Sequence, residues 1–543
     1  MRKIILLVFV PTFSYFLNAQ TLEDAKKQFY YEKFESSLQT FQQLIKQNPD
    51  NGEAWFGLMK SYFALKKPEK ITDTVKYAPP SVMNDPYFKI VLGANQLQQN
   101  RKEEANAIFN NVLEETKKKN AGIVSAIAWT QLNVPNGDPH ILLPQLNEAI
   151  KKNKHNPELY VLLGDAYRKL RDGTEAFKAY QKAVDEDGKY ALAYYRMGQI
   201  FLTQKNKDVY TDYFQKSIAA DPDFAPAYYR LYLYEFNRDP AKAMSWYQKY
   251  AALSDISIQN DYDLADLFYL NKQYDSAIVK ANEIITSGDI SAKPRIYKLM
   301  GYSYAGKKDT SKAIDEMKKY FEKEADSNII AMDYLSMGQF YLSHVGSDSL
   351  AGIYLAKATT VERDSTKLFD YYKMLADLAK TKKDYESQAK WLGKFYSGNS
   401  KASNLDLFYW GVANYRIEDY PKADSIFGIY IDKYPDQSFG YYWQAKSKAL
   451  QDKEMDLGLA IPSYQKLVEV LQKDTTDANY KKWMVEAYGY LAAYEVNSRK
   501  DYTAAITYFE KTLNVDPENE SARKYIDMLE KKIKDPVETN KGN

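Results

Sequence analysis

Apolar and small residues recur along this chain at fixed distances, with polar turns between them. A glycine or alanine precedes another alanine by twelve residues in five pairs: Gly93 and Ala105, Gly164 and Ala176, Ala265 and Ala277, Gly301 and Ala313, and Gly411 and Ala423. An aromatic residue follows the alanine by four positions, as Tyr180 follows Ala176. Small residues let two helices cross closely, and a ring one turn after the alanine lies on the same face. The pattern predicts helical hairpins that repeat every 34 residues, the distance from Gly164 to Gly198.

Helix starts are indicated by a capping residue followed by proline at Asn48–Pro49, Asn156–Pro157, Asp221–Pro222 and Asp516–Pro517. Asn and Asp side chains accept hydrogen bonds from the free N–H groups of a first helical turn, where proline is also tolerated. We expect each pair to begin a hairpin. Two stretches depart from the pattern, because prolines and glycines interrupt residues 66–86 and 117–144.

Two segments carry the repeated pattern most completely. Their matching residues are Tyr160, Leu163, Gly164, Tyr167, Ala176, Tyr180 and Ala183 in the first, and Leu407, Trp410, Gly411, Ala423, Phe427 and Pro435 in the second. This order resembles the tetratricopeptide (TPR) repeat, and the resemblance covers most of residues 21–530. It implies an all-α fold, a right-handed α-solenoid of stacked TPR-like hairpins. It also implies an inner groove lined by the first helix of each hairpin.

The irregular stretches and the chain ends suggest a division into five parts. We expect a signal peptide at 1–19, N-terminal TPR-like repeats at 20–116, an irregular helical segment at 117–156, a main TPR array with a C-terminal capping helix at 157–534, and a disordered tail at 535–543.

The N-terminus has the order of a secretion signal. Arg2 and Lys3 precede an apolar stretch at 4–10, and Ala19 offers a small residue for cleavage before Gln20. An uncleaved interfacial anchor is the alternative, whereas a spanning helix needs about 20 apolar residues and this stretch is shorter. Because the chain has no cysteine, an N-terminal lipid anchor on cysteine is excluded. We therefore expect a periplasmic or secreted protein that meets a membrane only indirectly, through a partner.

Charge and chemistry exclude several functional classes. The chain has 74 Lys and Arg against 72 Asp and Glu, and loss of Arg2 and Lys3 with residues 1–19 leaves 72 against 72. A neutral chain lacks the basic excess that nucleic-acid binding needs. The three histidines stand apart from other ligands, so no metal site is predicted. Gly301–Lys308 matches a phosphate-binding loop except at its last position, which should be Ser or Thr. We predict no cofactor and no enzymatic activity.

Tyrosine is abundant, at 49 of 543 residues, and suits a binding surface because its ring gives contact area at low entropic cost. In the repeat frame the groove candidates are Tyr195, Gln199, Tyr229, Leu233, Tyr262, Asp266, Lys298 and Tyr302. The alternative is that these tyrosines pack only against the neighbouring hairpin.

The resemblance favours a non-enzymatic scaffold of the bacterial cell envelope that binds partner proteins or peptides through the concave face. An alternative is an aromatic-lined glycan-binding protein of an outer-membrane nutrient-uptake system. Proteins of that kind normally carry a lipidated cysteine and long insertions, and this chain has neither. A third reading is an enzyme with a site in 66–86 or 117–144, but neither stretch holds a catalytic cluster.

Overall fold

The computed structural model describes residues 20–116, 120–255, 257–287, 293–399 and 402–534. The expected signal peptide and tail, at 1–19 and 535–543, lie outside these residues. The described part of the chain contains 29 α-helices and no β-strand. It divides into two compact units between Ser303 and Tyr304. The predicted all-α stack of TPR-like hairpins is thereby confirmed.

Unit 1 consists of paired antiparallel helices in chain order. They are α1 (Leu22–Tyr30), α2 (Phe34–Gln47), α3 (Gly52–Ala64), α4 (Glu69–Lys76), α5 (Pro86–Gln98), α6 (Lys102–Glu115), α7 (Ala121–Asn133), α8 (Leu142–Lys152), α9 (Pro157–Lys169), α10 (Gly173–Glu186), α11 (Ala191–Thr203), α12 (Lys207–Ala220), α13 (Ala225–Glu235), α14 (Pro240–Leu253), α15 (Ile258–Leu270) and α16 (Tyr274–Thr286). Helix α17 (Arg295–Gly306) runs across the division between the units.

Unit 2 continues with the same kind of pairing. Its helices are α18 (Thr310–Lys323), α19 (Ala331–Leu342), α20 (Asp348–Val361), α21 (Ser365–Thr381), α22 (Tyr385–Tyr396), α23 (Asn404–Arg416), α24 (Tyr420–Lys433), α25 (Ser438–Gln451), α26 (Ile461–Lys473), α27 (Tyr480–Tyr494), α28 (Tyr502–Val515) and α29 (Glu520–Lys534). Helix α29 packs on α28 through buried Ala522 and Leu529 and leaves Ile533 exposed, as a last helix of a stack does.

The recurring glycine lies against the recurring aromatic ring of the same hairpin. A Cβ added to Gly198 would lie 2.6 Å from the Phe214 ring, and one on Gly411 would lie 2.6 Å from the Phe427 ring. Both rings are fully buried. The expected close crossing is confirmed, and its tightest contact is between glycine and the ring sixteen residues later.

Three of the four expected helix starts are wrong. Asn156 does cap α9, where it accepts a hydrogen bond from the N–H of Glu158. Asn48, Asp221 and Asp516 instead end α2, α12 and α28. In two of these, the side chain accepts from the backbone N–H two residues later, at 3.2 Å for Asn48 and 3.0 Å for Asp221. Asn and Asp favour such turns as strongly as they favour helix caps, so the Asx–Pro pair marks a turn there.

Within the expected irregular segment at 117–156, the described residues 120–156 form α7, a short 3₁₀ helix at Pro139–Ile141, and α8. Asn120 caps α7 by accepting from the N–H groups of Gly122 and Ile123, so the glycine lies in a well-formed first turn. Pro135 lies in the loop between α7 and α8, where it breaks no helix. The other departure, at 66–86, is confirmed, since α4 has only eight residues. Among the described residues, no helix is long and apolar enough to cross a bilayer.

Candidate functional site

Two of the eight groove candidates are buried in the packing between hairpins. The Tyr195 side chain is 3% exposed, and its ring lies 5.6 Å from that of Phe214 and 5.5 Å from that of Phe224. Tyr262 is 1% exposed, with the Arg295 guanidinium 4.4 Å from its ring centre. The expectation that these two rings project into an open groove is wrong. Tyr195 packs on Phe214 of its own hairpin and on Phe224 of the next, and Tyr262 packs on Arg295.

The other six candidates are more accessible, but the structure does not gather them into one site. Leu233 is 44% exposed, and the remainder are half-buried: Gln199, Tyr229, Asp266, Lys298 and Tyr302. Several are engaged within the fold, since Gln199 accepts a 2.6 Å hydrogen bond from Arg168 and Asp266 forms a 2.9 Å ion pair with Arg295. Their role in partner binding stays a prediction.

Unit 1 contains a half-open cavity of about 660 Å³, which we call the unit 1 cavity. Its wall comes from α1, α3, α5, α7, α9 and α11, with residues of α2 at one side. These six are the first helices of the first six hairpins, the helices that the predicted groove would use.

An aromatic cage surrounds Lys60 at the wall of this cavity. The ammonium nitrogen lies 4.3 Å from the ring centre of Phe29, 5.3 Å from that of Trp129 and 5.8 Å from that of Phe56. Phe56 and Lys60 are one turn apart on α3 and so share a face. Phe29 comes from α1 and Trp129 from α7, and the Trp129 ring lies 6.2 Å from each phenylalanine ring. Three helices distant in sequence thus place aromatic faces around one cation.

Lys60 has no direct acceptor. Within the described part of the chain, no carboxylate lies in ion-pair distance of its Nζ and no oxygen accepts a hydrogen bond from it. Burial lowers the pKa of the Lys60 ammonium to about 8, against a smaller opposing effect of Glu158. Desolvation disfavours the charged form, and ring faces offset this only in part. Lys60 is therefore a cation held in the cavity without a counter-ion in contact.

The other cations of the cavity wall are paired. Lys26 contacts Glu53 at 2.6 Å. Arg196 contacts Asp165 at 3.1 Å, and the same carboxylate accepts a 2.7 Å hydrogen bond from the Tyr180 hydroxyl. These carboxylates are already engaged and are not available to Lys60.

Two further carboxylates complete the wall. Glu158 on α9 accepts from the Ser125 hydroxyl at 3.3 Å. Glu32 follows α1 with a backbone φ of 60°, and burial raises the pKa of its carboxyl group. The cavity thus combines aromatic surface, one unpaired ammonium and two acidic groups.

The first hairpin touches the sixth and seventh hairpins of unit 1, a set of contacts that we call the clasp. The Tyr31 hydroxyl donates to Asp221 at 2.9 Å. Asp255 accepts from the Ser36 hydroxyl at 2.6 Å and from the Glu35 N–H at 2.8 Å. Lys33, at the start of α2, makes no side-chain cap, so Asp255 supplies the missing acceptor from about 220 residues away. The clasp brings the start of unit 1 onto its later repeats.

Unit 2 exposes four large apolar residues at the end of α19, in the connection that follows and in the first turns of α20, a set that we call the apolar turn. Its four residues, Leu342, Val345, Leu350 and Ile353, are 38%, 99%, 43% and 52% exposed. A cleft of about 550 Å³ adjoins Val345, with Lys308 and His344 on its wall. Exposed large apolar residues are ordinary when scattered, whereas four within residues 342–353 are characteristic of an interaction surface.

The sequence analysis did not single out Lys60, its cage or the apolar turn. The only local signal for the cage is Phe56 four residues before Lys60, a spacing too common to be informative. Leu342, Val345 and Leu350 follow the general apolar pattern, and only the helix directions reveal that they face solvent.

Comparison with known families identifies the repeats. The family model described as tetratricopeptide repeat matches residues 136–191 and 161–225, and a second model of that description matches 407–436. Neither match includes a catalytic domain. No curated protein has significant sequence similarity to the chain.

Several solved structures match part of this chain. The C-terminal part of a TPR repeat-containing protein from Cytophaga hutchinsonii is 27% identical, with 48% of this chain and 98% of that chain covered and a TM-score of 0.31. A tetratricopeptide repeat protein from Parabacteroides merdae is 15% identical, with 52% and 97% covered and a TM-score of 0.28. The TPR2AB domain of yeast Sti1, in its complex with pHSP90, is 20% identical, with 51% and 98% covered and a TM-score of 0.28.

Proposed function

We propose that this chain, a tetratricopeptide repeat protein, is a non-enzymatic scaffold of the bacterial cell envelope that binds a partner protein or peptide. TPR proteins generally mediate protein–protein interactions. A fold by itself does not define a function, so the proposal rests on a surface of this chain.

The observation that carries the proposal is the apolar turn of unit 2. Val345 is 99% exposed, and Leu350 and Ile353 lie close to it in the chain. Much of each side chain lies in solvent, and covering that part with a partner removes apolar surface from water at about 25 cal/mol per Å². The apolar turn is open to solvent, so a large partner can reach it.

The location in the envelope is supported by the residues that precede the described structure. Arg2 and Lys3, the apolar stretch at 4–10 and Ala19 have the order of a cleaved signal. N-terminal sequencing of the protein from a periplasmic or secreted fraction should return a chain that begins at Gln20. An intact Met1 on protein from the cytosol would contradict the location.

Partner binding is tested by changing the apolar turn. Val345→Glu and Leu350→Glu should abolish capture of the partner from an envelope extract while leaving the thermal midpoint unchanged, because both side chains are exposed. Val279→Glu is the matched control, since Val279 is 58% exposed on α16 and stands alone. Full capture by both turn variants, or equal loss with the control, would remove the turn from the proposal.

A further inference from the structure

The unit 1 cavity combines features of a small-ligand site rather than of packing alone. Its volume of about 660 Å³ lies within the range of about 300–1,000 Å³ typical of small-molecule pockets. Phe29, Phe56 and Trp129 provide apolar surface, and Lys60 provides a charge. Nine aromatic and seven charged side chains line the cavity, so a ligand can find both apolar surface and charge there.

The charges of the wall determine which ligand fits. Lys26 and Arg196 already have carboxylate partners, whereas Lys60 has no acceptor among the described residues. Lys60 is half-buried and lines the cavity, so an anion that enters can accept a charge-assisted hydrogen bond from its ammonium. Since Glu32 and Glu158 also line the cavity, a second negative charge on the ligand would be repelled. A single negative charge is therefore favoured.

The volume of the cavity limits the size of the occupant. A space of about 660 Å³ accommodates a small molecule.

We propose that the unit 1 cavity binds a small carboxylic acid with an apolar body, whose carboxylate pairs with Lys60 while the body packs on Phe29, Phe56 and Trp129. The ligand replaces the missing counter-ion, and charge-assisted hydrogen bonds of this kind are among the strongest that proteins make. The site goes beyond scaffold function, because it lies in unit 1 and does not include the apolar turn of unit 2.

The proposal also makes binding depend on pH. Lys60 must be protonated to pair with a carboxylate, and burial lowers its pKa to about 8 in the free protein. The charged groups around it are Lys26 on α1, Glu53 on α3 and Glu158 on α9, and Tyr87 on α5 also lines the cavity. The affinity for the acid should fall as pH rises above 8. A bound carboxylate stabilises protonated Lys60, so the complex loses its proton only at a higher pH.

Calorimetric titration of the full chain with 3-phenylpropionate and octanoate tests the site. Both acids should bind, and the neutral 3-phenylpropanamide should bind at least about tenfold more weakly. Lys60→Met should reduce affinity for the acids by about tenfold or more, and Lys60→Arg should retain more of it. Lys46→Met on α2, an exposed position, is the matched control and should bind as wild type does.

Three results would overturn the proposal. The first is no binding of either acid up to about 10 mM. The second is equal affinity of wild type and Lys60→Met for the acids. The third is binding of a peptide that ends in phenylalanine without binding of either acid. Circular dichroism of each variant confirms that it is folded. Val345→Glu should leave acid binding unchanged, so a failure of the scaffold proposal would not affect this test.

Discussion

The ring of Tyr180 occupies the space that a side chain on Gly164 would need. Any Cβ on Gly164 would overlap that ring, which is fully buried and whose hydroxyl donates to Asp165 at 2.7 Å. The ring is therefore held at both ends and cannot move aside cheaply. The same match recurs at Gly198 with Phe214 and defines how closely the two helices of a hairpin approach.

Gly164→Ala should destabilise the protein because the new methyl group collides with Tyr180. Overpacking of this kind costs about 1–3 kcal/mol, and Gly164→Leu should cost more. The measurement is the midpoint of thermal or urea unfolding. Gly173→Ala is the matched control, since nothing lies within 4 Å of a Cβ there, and it should be neutral or slightly stabilising. Equal midpoints for the two alanine variants would contradict the glycine–ring match.

Tyr195→Ala and Tyr262→Ala should destabilise the fold, because both side chains are almost fully buried. Loss of a buried ring costs about 3–5 kcal/mol in the free energy of unfolding. Leu233→Ala, at a 44% exposed position, should change stability by less than about 0.5 kcal/mol. Denaturation midpoints of the three variants distinguish these cases. A stable Tyr195→Ala variant would restore the groove interpretation of that residue.

Asp255→Ala should loosen the first hairpin. The variant loses the acceptor for the Ser36 hydroxyl and for the N–H groups that begin α2. Loss of a helix cap costs about 0.5–2 kcal/mol. Hydrogen exchange should accelerate in α1 and α2 before it does in the other helices of unit 1.

Asp239→Ala provides the control for the clasp. Asp239 caps α14 locally, accepting from the N–H of Lys242 at 3.0 Å, and has no part in the clasp. Its loss should leave exchange in α1 and α2 unchanged. Identical exchange of these helices in both variants would show that Asp255 does not hold the first hairpin.

Lys60 should make the stability of the chain depend on alkaline pH. Its pKa is about 8 in the folded state and near 10.5 when exposed, so the unfolded state binds more protons between these values. Stability attributable to Lys60 therefore rises with pH from 8 to about 10.5. At pH 7 the free energy of unfolding of Lys60→Met should exceed that of wild type by at least about 1 kcal/mol.

The difference between wild type and Lys60→Met should shrink as pH approaches 10.5. Urea midpoints of both proteins at pH 7 and pH 10 give this difference, and titration of the tyrosines cancels in the comparison. Lys46→Met should show no such trend, since Lys46 is exposed. A constant difference across pH would mean that burial does not perturb Lys60.

The repeat and its tightest contact could be read from the sequence because both are local. Gly198 and Phe214 lie in adjacent helices of one hairpin, joined by a short turn, so their spacing along the chain fixes their contact. The sequence predicted helix ends less well than it predicted the repeat. The side chains of Asn156 and Asp221 suit a helix cap and a turn equally well, and the packing of the following helix decides between them.

The face that each tyrosine presents, the cage and the clasp were decided by tertiary structure. Tyr195 and Tyr229 are each the fifth residue of a first helix, yet Tyr195 is buried and Tyr229 is half-buried. Trp129 reaches Lys60 from 69 positions along the chain, and Asp255 reaches Ser36 from 219. Such contacts depend on the small rotation between successive hairpins, which accumulates over six or seven of them. No local sequence pattern encodes this accumulated rotation. The sequence by itself therefore determined the repeating hairpin, whereas the curvature of unit 1 decided where its cavity lies and which cation lines it.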